Sequence, residues 1–307
     1  MRKQKSLSSR AWGELVLLAL IWGGSFLSIR IALNEVPVIT SVLHRTAWAA
    51  LALWIVVLAM RLPLPRSPRL WGGFLVMGLL NNIIPFSLMA WGQLHIETGL
   101  TSILNATTAI FGVIVAAMVF DDERLTARKA IGVALGLAGV VTVIGWQALT
   151  SFDLRSVAQL AVLGGAISYA FASSFARARL GGLAPQVAAA GMLTASTLLL
   201  LPAALLLDGP VTFTLAPVTW GAIAYYALIA TAGAYLLYFR VLAMAGSGNL
   251  MLVTLLIPPV AITLGAWVLD EALPARAWTG FLVLALGLLI LQGLPRRRRI
   301  DPKRASD

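Results

Sequence analysis

The residues with chemistry to offer lie inside apolar sequence, and they recur at helical spacing. Thr101, Asn105, Thr108 and Gly112 follow one another at intervals of 4, 3 and 4, which sets them on one face of a helix. Asn82, Pro85, Met89 and Gln93 form a second stripe, with Asn81 and Trp91 beside it. Thr231, Tyr235 and Tyr238 form a third, and the pairs Trp22/Ser25 and Ser168/Tyr169 add smaller patches. Amides, hydroxyls and rings bind and orient, and a hydroxyl cleaves only when a base activates it. The chain has no cysteine and two histidines, too few ligands for a metal site. It has no H-E-x-x-H, no G-x-S-x-G and no carboxylate pair inside an apolar stretch. No cofactor, metal or catalytic residue is expected. The groups present suit a small polar solute, held by hydrogen bonds, stacking and cation–π contact.

The elements that hold these groups are membrane spans. Of 307 residues 60% are hydrophobic and 11% charged, against about 25% charged in a soluble chain. Apolar runs of about 20 residues match a bilayer core ~30 Å thick. Ten helices are predicted, at 12–32, 38–60, 70–94, 98–120, 126–146, 156–178, 184–207, 217–240, 249–269 and 275–293. Breakers fill the gaps: Pro37, the Pro63–Pro65–Pro68 series, Gly181–Gly182, Gly209–Pro210, Gly246–Ser247–Gly248 and Pro274. With the N-terminus cytoplasmic, nineteen basic residues fall in inside segments and two, Arg155 and Arg276, in outside loops. That asymmetry predicts a multi-pass protein of a bacterial inner membrane with both termini cytoplasmic. The net charge of +11 comes mostly from the two basic tails, which meet anionic lipid rather than nucleic acid. The expected partners are the bilayer and a small solute, with the chain a monomer.

The sequence repeats itself. Asp122–Glu123–Arg124–Leu125–Thr126–Ala127–Arg128 recurs as Asp270–Glu271–Ala272–Leu273–Pro274–Ala275–Arg276, a shift of 148. The same shift carries Pro37 to Pro185, Gly132 to Gly280 and Gly139 to Gly287. A shift of 147 pairs Trp22 with Tyr169 and Arg30 with Arg177. The expected repeats are 1–150 and 151–307, with five helices each. Five is odd, so the second half enters the membrane from the opposite side. Inverted halves are typical of secondary transporters, which work by alternating access around a site near the midplane.

With these features the chain resembles the EamA-type transporters of the drug/metabolite transporter superfamily. The resemblance rests on Trp22–Gly23, Arg45, both Asp–Glu motifs and the stretch from Leu242 through Pro258, and it covers nearly the whole chain. It implies an all-α fold of ten helices in two inverted repeats, with a cavity among helices 1, 3, 4, 6, 8 and 9. The substrate cavity candidates are then Trp22, Ser25, Asn81, Asn82, Gln93, Asn105, Thr108, Ser168, Tyr169, Thr231, Tyr235 and Tyr238. Helix packing through satisfied hydrogen bonds is the competing role for every stripe.

Other residues have local readings. Pro85 and Pro258 lie inside spans and are expected to kink them beside the pathway. Gly132 and Gly136 let another helix of the same chain come close. His44 either titrates near neutral pH or makes a structural hydrogen bond. Arg45 is expected to snorkel outward or hold a loop carbonyl. Asp122, Glu123, Asp270 and Glu271 are gate candidates, although an acidic helix start is sufficient to account for them. All 12 acidic residues fall in tails, loops or span ends, which leaves no carboxylate relay for a proton pump. The expected function is transport of a neutral or zwitterionic metabolite such as an amino acid, by facilitated diffusion or exchange and in the direction of export. The alternatives are nutrient uptake, lipid-precursor translocation, a proton-coupled antiporter and, from another class, a membrane enzyme.

Overall fold

The computed structural model describes residues 8–121, 125–145, 153–180, 182–250 and 252–292. The described residues form ten helical spans. These are α1 (Ser9–Ala32), α2 (Val38–Ala59), α3 (Pro68–Gly92), α4 (Thr98–Val119), α5 (Ala127–Ile144), α6 (Leu154–Arg179), α7 (Pro185–Leu207), α8 (Pro217–Ala224, Tyr225–Gly233 and Ala234–Leu250), α9 (Val253–Leu269) and α10 (Ala275–Gln292). Eight are long and apolar enough to cross a membrane, and α9 and α10 are shorter apolar helices. At 17 residues, α9 is ~26 Å long, close to the ~30 Å of hydrocarbon. Odd-numbered helices start at the end where α1 begins, the near end; even-numbered helices start at the far end.

Local chemistry sets the starts. The Ser8 hydroxyl accepts from the Ala11 amide, Thr126 from Lys129 and Asp153 from Ser156, filling donors that a first turn leaves free. Prolines 68, 185 and 217 open α3, α7 and α8, where a missing N–H costs nothing. One boundary differs from the sequence expectation. Gly246–Ser247–Gly248 does not end α8, which stays helical to Leu250. A helical glycine costs only about 1 kcal/mol, whereas an open backbone in lipid costs several per unpaired group. Continuity wins.

The packing is two-fold related. α1 packs on α9 as α6 packs on α4, and α6 lies on α3 as α1 lies on α8. α2 pairs with α7 and α5 with α10; these are repeat mates, so each pair straddles the pseudo-dyad. The α5–α10 contact is the tightest to read. A Cβ on Gly139 would stand 2.5 Å from the Leu284 nitrogen and 2.7 Å from the Gly280 oxygen. A Cβ on Gly287 would stand 2.5 Å from the Gly136 nitrogen and 2.7 Å from the Gly132 oxygen. Gly139 thus faces the repeat mate of Gly132, and Gly132 faces the mate of Gly139, as a dyad requires. The glycines of α5 serve this internal contact, as expected. Gly139→Ala is predicted to destabilise the protein by about 1–3 kcal/mol through overpacking. Thermal unfolding of purified protein checks this; an unchanged melting temperature would show the contact to be looser.

Large apolar side chains are exposed along the spans. Leu51, Ile55 and Leu58 line the open face of α2, and Leu198, Leu205 and Leu206 that of α7. This is the surface a multi-pass membrane protein presents to lipid.

Candidate functional site

The site is built where helices lose their regular register. α3 and α8 each contain a π-helical stretch, Leu79–Ile83 and Tyr225–Gly233. The shift of 148 carries 79–83 to 227–231, inside the second stretch, so the irregularity belongs to the repeat. Such stretches widen a helix and re-aim its side chains. Pro85 accounts for the first. It has no N–H to offer the Leu80 carbonyl, five residues back, and the Ser168 hydroxyl of α6 donates to that carbonyl instead, at 2.7 Å. In α8 the Trp22 indole of α1 donates to Ala230 O at 3.1 Å, and Thr231 Oγ1 donates to Tyr226 O at 2.7 Å. Broken backbone in lipid needs such partners. α4 is interrupted too, between Asn105 and Thr108. Pro258 behaves otherwise: it is buried inside an α9 that runs as one α-helix from Val253 to Leu269.

Arg45 occupies the middle of this arrangement, contrary to the outward path expected from sequence. Its Nε donates to Thr231 Oγ1 at 2.9 Å. Its guanidinium lies over the Phe86 ring, 3.7 Å from the centroid. The phenols of Tyr169, Tyr226 and Tyr235 are near enough to interact with its charge. Arg45 also lines a small cavity with Ile29, Ser41, Val42, Phe86, Ala90 and Tyr226. The physical reason for the inward path is that α2 packs against α7 and α8 on this side. Lipid lies on the opposite face, where a guanidinium is costly.

Other predicted residues divide between this centre and other contacts. Asn81 Nδ2 donates to the Tyr235 hydroxyl at 3.1 Å, and Tyr169 meets Phe86 edge-on with ring centroids 6.4 Å apart. These join Arg45 and Thr231. Trp22 and Tyr238 lie together, rings 5.9 Å apart, and Ser25 Oγ donates to Trp22 O at 2.6 Å. Asn82 turns to α7 and donates to Ser196 Oγ at 3.0 Å. Gln93 donates to Phe26 O at 3.3 Å, leaving its own buried Oε1 without a partner. Thr108 spends its hydroxyl on Asn105 O at 2.8 Å, while Asn105 Oδ1 is buried and unpaired. His44 accepts from Trp48 Nε1 at 3.2 Å through Nδ1 and stands edge-on to Trp220, while its buried Nε2 has no partner among the described residues.

Four far-end carboxylates are bonded across the repeats. Asp208 accepts from the Thr40 amide and hydroxyl, both at 2.8 Å. Glu35 accepts from the Ala216 amide and the Thr219 hydroxyl. Glu97 pairs with Arg155 at 2.7 Å. Glu271 accepts from Thr98 N and Thr98 Oγ1, both at 2.8 Å. Glu271 therefore caps α4 and not its own helix, which corrects the helix-start reading. Asp270 makes this possible by taking a left-handed backbone at φ 54°, which folds the chain back. Asp122 and Glu123 lie outside the described residues. Beyond the spans, Asp153 is held below the usual carboxylate range by hydrogen bonds from the Ser156 hydroxyl and amide.

Two inverted halves, paired irregular helices and a polar centre are the anatomy of a carrier. Residues 12–145 and 156–292 both match the EamA-like transporter family. The chain belongs to this family. It is 31% identical to the probable terminal-alkyne amino-acid exporter of Streptantibioticus cattleyicolor, over 95% of this chain and 97% of that one. It is 25% identical to the probable amino-acid metabolite efflux pump of Escherichia coli, over 92% of this chain and 95% of the pump. A solved crystal structure of an 18% identical protein superposes with a TM-score of 0.68, covering 95% of this chain and 100% of that one; it shares the fold. This EamA-like transporter is thus a multi-pass membrane protein that handles small solutes. Sequence alone missed the inward Arg45 and the cross-repeat capping by Glu271. The signal for Arg45 was the rarity of a charge within a span.

Proposed function

We propose that this transporter exports an amino acid or similar zwitterionic metabolite by alternating access, as a facilitator or exchanger. The observation that carries the reading is the set of groups at the helix breaks. Amides, hydroxyls, phenols and indoles meet there between the two halves, and no carboxylate is among the described residues of that set. Five described acids are bonded at the helix ends, with Glu35, Glu97, Asp208 and Glu271 at the far end and Glu14 Oε1 with Arg240 at the near end. A proton-driven pump or a cation pump needs an acid in mid-membrane. Amino-acid names among the relatives support the substrate class. Trp22, Ser25, Asn81, Asn105, Tyr169, Thr231, Tyr235 and Tyr238 are the proposed solute-contacting residues.

The nineteen-to-two charge asymmetry makes the near end cytoplasmic in a bacterial inner membrane. The repeats run over 1–150 and 151–307 and move against each other. The chain acts as a monomer, since the glycine faces of α5 and α10 are used on each other. Counterflow of labelled amino acids into liposomes holding the purified protein tests the reading. Uptake of at least one amino acid is expected, unchanged by a pH gradient. Strict dependence on the gradient would sink the facilitator, and no uptake across the panel would sink the substrate class.

A further inference from the structure

Arg45 is the one feature of the centre that the reading above leaves unexplained. A guanidinium stays charged throughout the accessible pH range, and a charge within a span is expensive to keep. Buried charges are normally paired with an opposite charge. Here, among the described residues, no carboxylate pairs with Arg45. The acids at the far end closest to the start of α2, Glu35 and Asp208, are bonded to Thr219 and Thr40. Of five N–H donors, only Nε has an acceptor among the described residues, Thr231 Oγ1. The Phe86 ring covers one face. These two contacts fix the guanidinium plane and leave its two terminal nitrogens without an acceptor among the described residues, in a residue that lines the cavity. That fork matches a carboxylate bidentately.

We propose that Arg45 is the receptor for a carboxylate on the transported solute, and that the anion, rather than the amine, is what the site requires. The proposal rests on the export reading above and narrows it. A neutral or zwitterionic solute was compatible with the sequence; a solute lacking an anionic group is not compatible with an unpaired guanidinium. Of the other lining residues, Ile29, Val42 and Ala90 are apolar, and the Ser41 and Tyr226 hydroxyls lie within hydrogen-bond distance of each other, which suits a carboxylic acid with a small aliphatic body. Among the described residues no acid lines the cavity to demand an ammonium, so the amine is tolerated and not required. Thr231 serves as the internal placeholder that positions Nε through its own bond to Tyr226 O.

The test is counterflow of labelled leucine in proteoliposomes, competed by leucine, 4-methylpentanoate, leucinamide and isoamylamine. Leucine and the deaminated acid should compete, whereas the amide and the amine should be weaker by about tenfold or more, the worth of a charge-assisted hydrogen bond. Arg45→Gln should lose leucine counterflow to a similar extent and Arg45→Lys should keep part of it. Arg45→Met should melt no lower than the wild type, because it removes an unpaired charge. Competition by leucinamide equal to that of leucine would overturn the proposal, as would a lower melting temperature for Arg45→Met, which marks a purely structural arginine. If labelled leucine does not move and none of the four compounds shifts the protein's melting temperature, the amino-acid reading fails with it. Movement without preference for the acid defeats only the role of Arg45.

Discussion

Glu271→Ala is expected to lower the stability of the protein by about 2–3 kcal/mol, the upper range for losing hydrogen bonds to a charged acceptor. Both oxygens of Glu271 are engaged, with Thr98 N and Thr98 Oγ1 each at 2.8 Å. Thr98 is fully buried, so truncation strands its amide where water does not reach. The carboxylate also sits at the N-terminus of α4, where the helix dipole favours negative charge. Glu271→Gln keeps an acceptor and loses the charge, so it should fall between the two. The melting temperature of detergent-purified protein reads the order wild type, Gln, Ala. An alanine variant that melts with the wild type would show that the cap contributes nothing. Because the bond joins one half to the other, its loss should also raise the accessibility of far-end residues to a water-soluble thiol reagent, measured on single-cysteine variants. The absence of native cysteine makes that measurement direct.

Asn105→Ala should behave in the opposite way, with transport falling and stability holding. Asn105 Oδ1 is buried beside the interruption of α4 and no protein group donates to it. An unpaired buried acceptor costs about 1–3 kcal/mol. Removing it should therefore leave the melting temperature unchanged or raised. If the oxygen is kept for the solute, counterflow should drop by about tenfold, the value of one buried hydrogen bond at that scale. Tyr235→Ala should reduce transport as well, but with some loss of stability, since Asn81 then loses its acceptor. Normal counterflow by both variants would remove the two residues from the solute pathway.

The contrast between Glu271 and Asn105 shows what sequence reveals here and what it hides. Span count, the repeat and the glycine faces follow from hydropathy and from residues a fixed distance apart. All of these are one-dimensional properties, and all are found in the folded chain. The partner of Glu271 lies 173 positions away, and nothing in the local stretch Asp270–Glu271–Ala272–Leu273 distinguishes capping its own helix from capping another. Arg45 hides for a related reason. Position along α2 gives its depth, but which way it faces depends on the neighbours α7 and α8. The π stretches leave a weak trace at Pro85 and none in α8, where Tyr225–Gly233 contains no proline. The polar stripes assume a regular helix, whereas α3 is π-helical at Leu79–Ile83 and α4 breaks between Asn105 and Thr108, and the hydrogen bonds of Asn82 and Thr108 go to Ser196 and the local backbone.

Alternating access between the two halves is tested most directly by locking the far end. Thr40 Oγ1 and Asp208 Oδ2 are 2.8 Å apart and belong to different repeats. A Thr40→Cys/Asp208→Cys variant, in a chain with no other cysteine, should form a disulfide on oxidation. Counterflow in proteoliposomes should then stop, and it should recover when a reductant is added. Full transport by the oxidised, cross-linked protein would contradict the account, because solute would then cross without the halves ever parting at the far end.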